Sequence, residues 1–163
     1  MSRYLGSNSR IDHIAIAVNN IDEALFLYED VFGFELLARR DIQGQFTGMR
    51  SAELDAGGFK IVLVQGTDPE SQVSRYVEKY GTGVQHVAVE VSDVDFVEKT
   101  LASSGIKFAT NVIRGKELTQ IFTQRDTNSG MMFEFISRSA SGAKFEENNI
   151  LSLFKQLEAA EAY

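Results

Sequence analysis

Two histidines, a glutamate and several glutamines are the residues of this 163-residue chain whose types and spacing could do chemistry. There is no cysteine, so thiolate ligands, thiol nucleophiles and disulfides are excluded. The only histidines, His13 and His86, lie 73 positions apart (86 − 13), each near the start of a strand-like stretch. The first is Asp12-His13-Ile14-Ala15-Ile16-Ala17-Val18 and the second Gln85-His86-Val87-Ala88-Val89-Glu90-Val91. Alternation puts His13, Ala15 and Ala17 on one face and Ile14, Ile16 and Val18 on the other. It separates His86, Ala88 and Glu90 from Val87, Val89 and Val91 in the same way. Glu134 stands in a third strand-like stretch, Met131-Met132-Phe133-Glu134-Phe135-Ile136. An ionised carboxylate among such neighbours is costly unless it is paired or ligates a metal.

A lone strand histidine is more often a hydrogen-bonded structural residue, and a carboxylate can face water from an edge strand. The joint pattern points to a metal. Two histidines and one carboxylate make the facial set suited to Fe(II), with positions left open. In the first half the place corresponding to Glu134 falls near Gln65. With Gln65 as a fourth ligand the set suits a Lewis-acid metal instead, such as Co, Mn, Ni or Zn. Gln120 and Phe122 share a strand face, Gln85 precedes a candidate ligand, Gln72 begins the link between the halves, and Phe145 precedes the last helical pattern. Amides aimed into an apolar pocket would recognise a carboxylate, keto or phenol oxygen.

The elements that must position these residues occur twice. After the His13 strand, Asn20 can cap a helix over 21–32, with Gly33 to end it; strands follow at about 34–40, 47–55 and 59–65, the last pair joined at Asp55-Ala56-Gly57-Gly58. After the His86 strand, a helix is expected at 93–103, Gly105 ends it, and strands follow at about 106–113, 117–124 and 131–137. A further helix is expected over 71–80 between the halves, and an amphipathic one at about 148–161. The predicted fold is α+β: two tandem βαβββ modules, about 11–66 and 83–138, forming one cleft, plus the C-terminal helix. Residues 1–10 are expected to be a leader and 11–163 a single domain.

The net charge of −7, with no basic run, argues against nucleic acid and anionic membranes as partners. Apolar runs are strand-sized and the N-terminus lacks an apolar core, so neither a membrane span nor a secretory signal is expected, and a cytoplasmic location is.

The stretches Asp12 to Val18, Phe26-Leu27-Tyr28 and Phe32-Gly33-Phe34 resemble the vicinal oxygen chelate (glyoxalase/bleomycin resistance/dioxygenase) superfamily. Ser71-Gln72-Val73, Gly83-Val84-Gln85-His86, Thr119-Gln120-Ile121-Phe122-Thr123 and Phe133 to Arg138 are similar to the catalytic half of 4-hydroxyphenylpyruvate dioxygenases, as is the tail with Phe145, Asn149 and Leu153-Phe154-Lys155. The resemblance implies that His13, His86 and Glu134 bind Fe(II). It implies that Gln72, Gln85, Gln120 and Ser51 face substrate, with Phe122 and Phe145 as aromatic walls, and it leaves Gln65 where the family has an asparagine-bearing strand end. The implied activity is an Fe(II)-dependent dioxygenase using O2 on an arylpyruvate-like 2-oxo acid. A metal-dependent epimerase or lyase and a non-enzymatic small-molecule binder are the alternatives. Related enzymes carry two such domains, so pairing into a homodimer is expected.

Overall fold

The computed structural model of the chain describes residues 4–139, 147–160 and 162. Its strands are β1 (Arg10–Ala17), β2 (Glu35–Gln43), β3 (Gly48–Asp55), β4 (Lys60–Gly66), β5 (Gly83–Glu90), β6 (Ile113–Arg114), β7 (Leu118–Phe122) and β8 (Met132–Arg138). Its helices are α1 (Ile21–Leu25, continued as a π-helix over Phe26–Val31), α2 (Gln72–Tyr80), α3 (Val94–Ser103) and α4 (Glu147–Ala159). All eight strands form one curled sheet in the order β2-β3-β4-β1-β5-β8-β7-β6. That order is the same four-strand arrangement twice, joined back to back. β1 pairs with β4 in parallel, β5 with β8 in parallel, and the two modules meet where β1 and β5 pair antiparallel. The α+β fold expected from the repeat is therefore the observed one, and its centre is the pair of histidine strands.

Local chemistry explains the repeated elements. Asn20 accepts from the backbone N–H groups of Asp22 (3.0 Å) and Glu23 (3.2 Å), and Asp93 accepts from that of Phe96 (3.0 Å), so each module's helix starts on a side-chain cap. In the hairpin between β3 and β4, Asp55 Oδ1 accepts from Gly57 and Gly58, whose φ angles of 86° and 90° favour glycine. Outward-facing apolar residues bury the helices: Ala52, Leu54 and Leu63 pack on Ile21 and Leu25, while Val89, Ile121 and Phe135 pack on Val94 and Val97. Leu5, in the segment before β1, packs against the second cluster.

Two expectations need correction. The first helix is α-helical for only five residues before it widens, with Phe32 N–H donating to Leu27 O, five residues back. The strand expected over 106–113 reduces to β6 and one isolated bridge, Phe108 with Thr123. Lys107 and Ala109 do bond to Gln124 and Phe122 through the backbone. Their ladder is too irregular to make a strand on this outer side of β7.

Helix α4 lies on the inner face of the sheet, where Phe154 is fully buried and Leu157 packs on Phe122 and Met132. A Cβ at Gly44, in the turn after β2, would stand 2.6 Å from the Phe154 ring, so this turn needs a glycine. Glu158 fastens the same turn: its carboxylate accepts from the backbone N–H of Gln45 (3.1 Å) and Thr47 (2.7 Å) and from the Thr47 hydroxyl. Replacing Glu158 with Ala leaves those donors without their acceptor. The expected loss is about 1–3 kcal/mol, read as a melting temperature about 3–8 °C lower, with faster amide exchange at Gln45 and Thr47. Unchanged exchange at both amides would contradict this role for Glu158.

Candidate functional site

The site sits where the two modules join. His13 pairs with Ala88, and Ala88 pairs with Glu134, so those three stand in one row across β1, β5 and β8. The small Ala88 lies between the two larger side chains. His86 is two residues along β5, opposite Ala15, and its ring also leans over the inner face. The result is a tight triangle: His13 Nε2 to His86 Nε2 3.3 Å, His13 Nε2 to Glu134 Oε2 3.3 Å, and His86 Nε2 to Glu134 Oε2 3.6 Å.

Two matched β-bulges aim the rings. The β1–β5 register slips between Ile11 and His13, leaving Asp12 as the extra residue, and again between Ala15 and Ile16, where Gln85 is extra on the other strand. Each bulged residue turns its side-chain oxygen onto the Nδ1 of the histidine that follows it: Asp12 Oδ2 to His13 at 2.8 Å, and Gln85 Oε1 to His86. Both oxygens accept, so both histidines carry their proton on Nδ1 and turn an Nε2 lone pair toward Glu134. Arg138 holds Asp12 in turn, through Nη2 at 2.9 and 3.0 Å.

Electrostatics favours the same protonation pattern. Burial first, and then the neighbouring His13 and Arg125, lower the pKa of His86 well below its ordinary value, so its ring is neutral near pH 7. For Asp12, burial opposes ionisation, but hydrogen bonds from His13 and Arg138 outweigh it and hold the carboxyl well below the usual range. Burial pushes Glu134 up to about 7, and its Oε1 is buried with no hydrogen-bond partner. When Glu134 is ionised, three acceptor atoms face one another with no donor between them. Each separation is close to that of neighbouring ligands around a metal bound at about 2.1 Å. The donor set fits a divalent ion, and among the described residues no other group of three or more His, Cys, Asp or Glu converges in this way.

A narrow cavity opens above the triangle. Its walls include Phe122, which meets the His86 ring edge-on (5.1 Å, 79°), together with Gln120, Ser51, Met49, Val62 and Val64. Ile150 and Leu153 of α4 cover it. Gln120 donates weakly to Asn149 O (3.4 Å), and its Oε1 meets no partner. Of the other sequence candidates, Gln85 is engaged with His86, and Gln72 is buried at the start of α2, away from the cavity wall. Gln65 Oε1 accepts from the backbone N–H of Ile21 (2.9 Å), which puts it at the start of α1. Phe145 lies outside the described residues. In the first module the strand position that answers Glu134 is Val62, because Ala15 pairs with Val62 as Ala88 pairs with Glu134. A valine offers no ligand atom.

Arg40 and Glu53 also line the cavity and were not anticipated. One signal was available for Glu53: it alternates with Ala52 and Leu54, so it must share the inner face with Ser51.

Residues 10–135 match the Glyoxalase/Bleomycin resistance protein/Dioxygenase superfamily, and the chain belongs to that family. Among curated relatives, 4-hydroxyphenylpyruvate dioxygenase of Legionella pneumophila is 32% identical over 103 residues, covering 60% of this chain and 30% of that protein. The chain spans between 30% and 51% of the length of the 4-hydroxyphenylpyruvate dioxygenases it matches. In structure, a mutant 4-hydroxymandelate synthase from Streptomyces coelicolor superposes with a TM-score of 0.81 over 93% of this chain and 54% of that one; at 22% identity this is a likeness of fold. Methylmalonyl-CoA epimerase from Mycobacterium tuberculosis superposes with a TM-score of 0.68 at 28% identity, covering 80% and 88% of the two chains. No helix among the described residues is long and apolar enough to cross a membrane.

Proposed function

We propose that the chain is an Fe(II)-dependent dioxygenase that acts on an arylpyruvate-like 2-oxo acid. The observation that carries this reading is the triangle of His13, His86 and Glu134, three converging ligand atoms with no fourth protein ligand among the described residues. Those residues would hold the ion by one face, leaving the cavity side for substrate and dioxygen. When bound, Fe(II) supplies the redox chemistry by which a 2-oxo acid and O2 become CO2 and a hydroxylated acid one carbon shorter. The protein's own part is positioning and exclusion of water. Phe122, Val62, Val64 and the α4 residues Ile150 and Leu153 make the cavity apolar, and Gln120 and Ser51 offer polar atoms to orient substrate oxygens. Asp12 and Gln85 keep the imidazole protons on Nδ1, so that Nε2 stays free to ligate.

Anaerobic protein loaded with Fe(II), then given oxygen, ascorbate and a panel of arylpyruvates, is expected to consume O2 and release CO2 in equal amounts. Glu134→Gln is expected to lower that rate at least a hundredfold. A second reading is a metal-dependent epimerase, favoured by the likeness to the mycobacterial epimerase over most of its length. Val62 argues against it, since the first module then has no ligand to add. Silence across the arylpyruvate panel, with deuterium uptake at the α-carbon of an acyl-CoA thioester, would overturn the dioxygenase in favour of the epimerase.

A further inference from the structure

The cavity has a second charged end that the triangle does not explain. Glu53 on β3 is buried in the cavity wall, 4% exposed, between Lys60 Nζ at 2.8 Å and Arg40 Nη2 at 3.3 Å. Burial opposes its ionisation, but Lys60 and then Arg40 outweigh it and keep the carboxyl below its ordinary range. Lys60, at the shorter distance, already neutralises Glu53. Arg40 is therefore surplus, and it leaves this ion cluster, of which Arg40 and Glu53 line the cavity, with two cations and one anion. Only one N–H of its guanidinium meets an acceptor among the described residues. A fork with unmet donors in a largely apolar cavity is suited to bidentate binding of a planar anion.

Its place in the sheet sets the ligand's shape. Glu53 pairs with Val62, Val62 with Ala15 and Ala15 with His86, so one row runs from the ion cluster to the triangle. That row spans three strand separations, about 14 Å along the backbone, and side chains reaching in from both ends shorten the gap. Between the ends the lining is mostly apolar, from Val62, Val64, Met49 and Phe122, with Ser51 and Gln120 as its polar exceptions. Arg40 also borders an outer cleft against Asn148, Ile150 and Leu151 of α4, so an anion can reach it without crossing the apolar middle.

We propose that Arg40 determines specificity by binding a second carboxylate at the far end of the substrate, which would be a dianionic 2-oxo acid with an apolar spacer. This rests on the dioxygenase reading of the same cavity: the oxo-acid end lies at the triangle and the second carboxylate at Arg40. It brings the cluster to two cations and two anions, where a neutral aryl group leaves the guanidinium uncompensated.

The test is calorimetric binding of phenylpyruvate, 4-hydroxyphenylpyruvate and 4-carboxyphenylpyruvate to the anaerobic Fe(II)-loaded protein, with oxygen uptake measured in parallel. The carboxylated probe is expected to bind at least about tenfold tighter than phenylpyruvate, the gain of charge-assisted hydrogen bonds. In Arg40→Met that preference should fall to within about twofold, while Arg40→Lys, which keeps the charge without the fork, should retain part of it. A wild-type preference of one or less overturns the proposal whatever the variants do, and so does an undiminished preference in Arg40→Met. The two readings fail separately. Preferential binding without oxygen uptake removes the dioxygenase and keeps the anion site; oxygen uptake without preference does the reverse.

Discussion

Replacing Glu134 with Gln is expected to change stability in opposite directions in the metal-free and metal-loaded protein. Without a metal, burial lifts the Glu134 pKa from 4.5 to about 7, so the folded state holds this proton more tightly than the unfolded chain. The sign follows by linkage: stability from this group is complete below about pH 4.5 and lost as pH rises toward 7. The loss approaches about 3 kcal/mol above pH 7, since each pKa unit is worth about 1.4 kcal/mol. A glutamine in its place carries no proton to lose, so at pH 8 the metal-free variant should be more stable than wild type by about 1–3 kcal/mol. With a divalent ion at a hundred times its dissociation constant, wild type gains about 2.7 kcal/mol, and the variant, lacking the anionic ligand, gains little. Urea titrations at pH 8 with chelator and with Mn2+, a redox-stable probe, read both effects. A variant less stable than wild type in chelator, or one stabilised equally by Mn2+, would sink this account of the triangle.

Much of this was legible because the chain says it twice. The two histidine strands share an alternation, and Asn20 and Asp93 open equivalent helices, so the position of one module predicts the other. Glu134 stood out because an acid between phenylalanines needs a reason. What stayed hidden depends on registers that no spacing reveals. Gln65 looked like the partner of Glu134 by counting residues, but pairing sets the correspondence, and Ala15 pairs with Val62. Gln65 stands three residues past Val62 (65 − 62), beside the first turn of α1. Asp12 should face away from His13 on a regular strand; only the bulge turns it back. Arg40 lies four strands from His86 in the sheet and borders the same cavity because the sheet curls.

Asp12→Asn is expected to be the most damaging single substitution beside the triangle, for two separable reasons. The Asp12 carboxylate is the anion that Arg138 bonds, and both side chains are nearly buried at 9% and 6% exposed. Removing that charge weakens a buried charge-assisted pair, at a cost of about 1–3 kcal/mol. The carboxyl is held below its ordinary pKa, so its contribution is present above about pH 4 and lost as pH falls further. The variant should therefore lose that part of the acid dependence as well as stability at pH 7. The second effect acts on His13. An amide can offer its ring either an oxygen or an N–H, so the proton is no longer confined to Nδ1, and metal affinity should fall about 10–100-fold. Adding Arg138→Met separates the two: it removes the guanidinium that the Asp12 carboxylate served, so stability should recover in part while Mn2+ affinity stays low. Gln85→Leu, the corresponding change at the other bulge, disturbs only a neutral hydrogen bond to His86 and strands no charge. It should weaken Mn2+ binding with a stability loss nearer 1 kcal/mol. If Asp12→Asn costs no more stability than Gln85→Leu, or if the double variant regains full Mn2+ affinity, Asp12 does not hold His13 in the way the bulge geometry indicates.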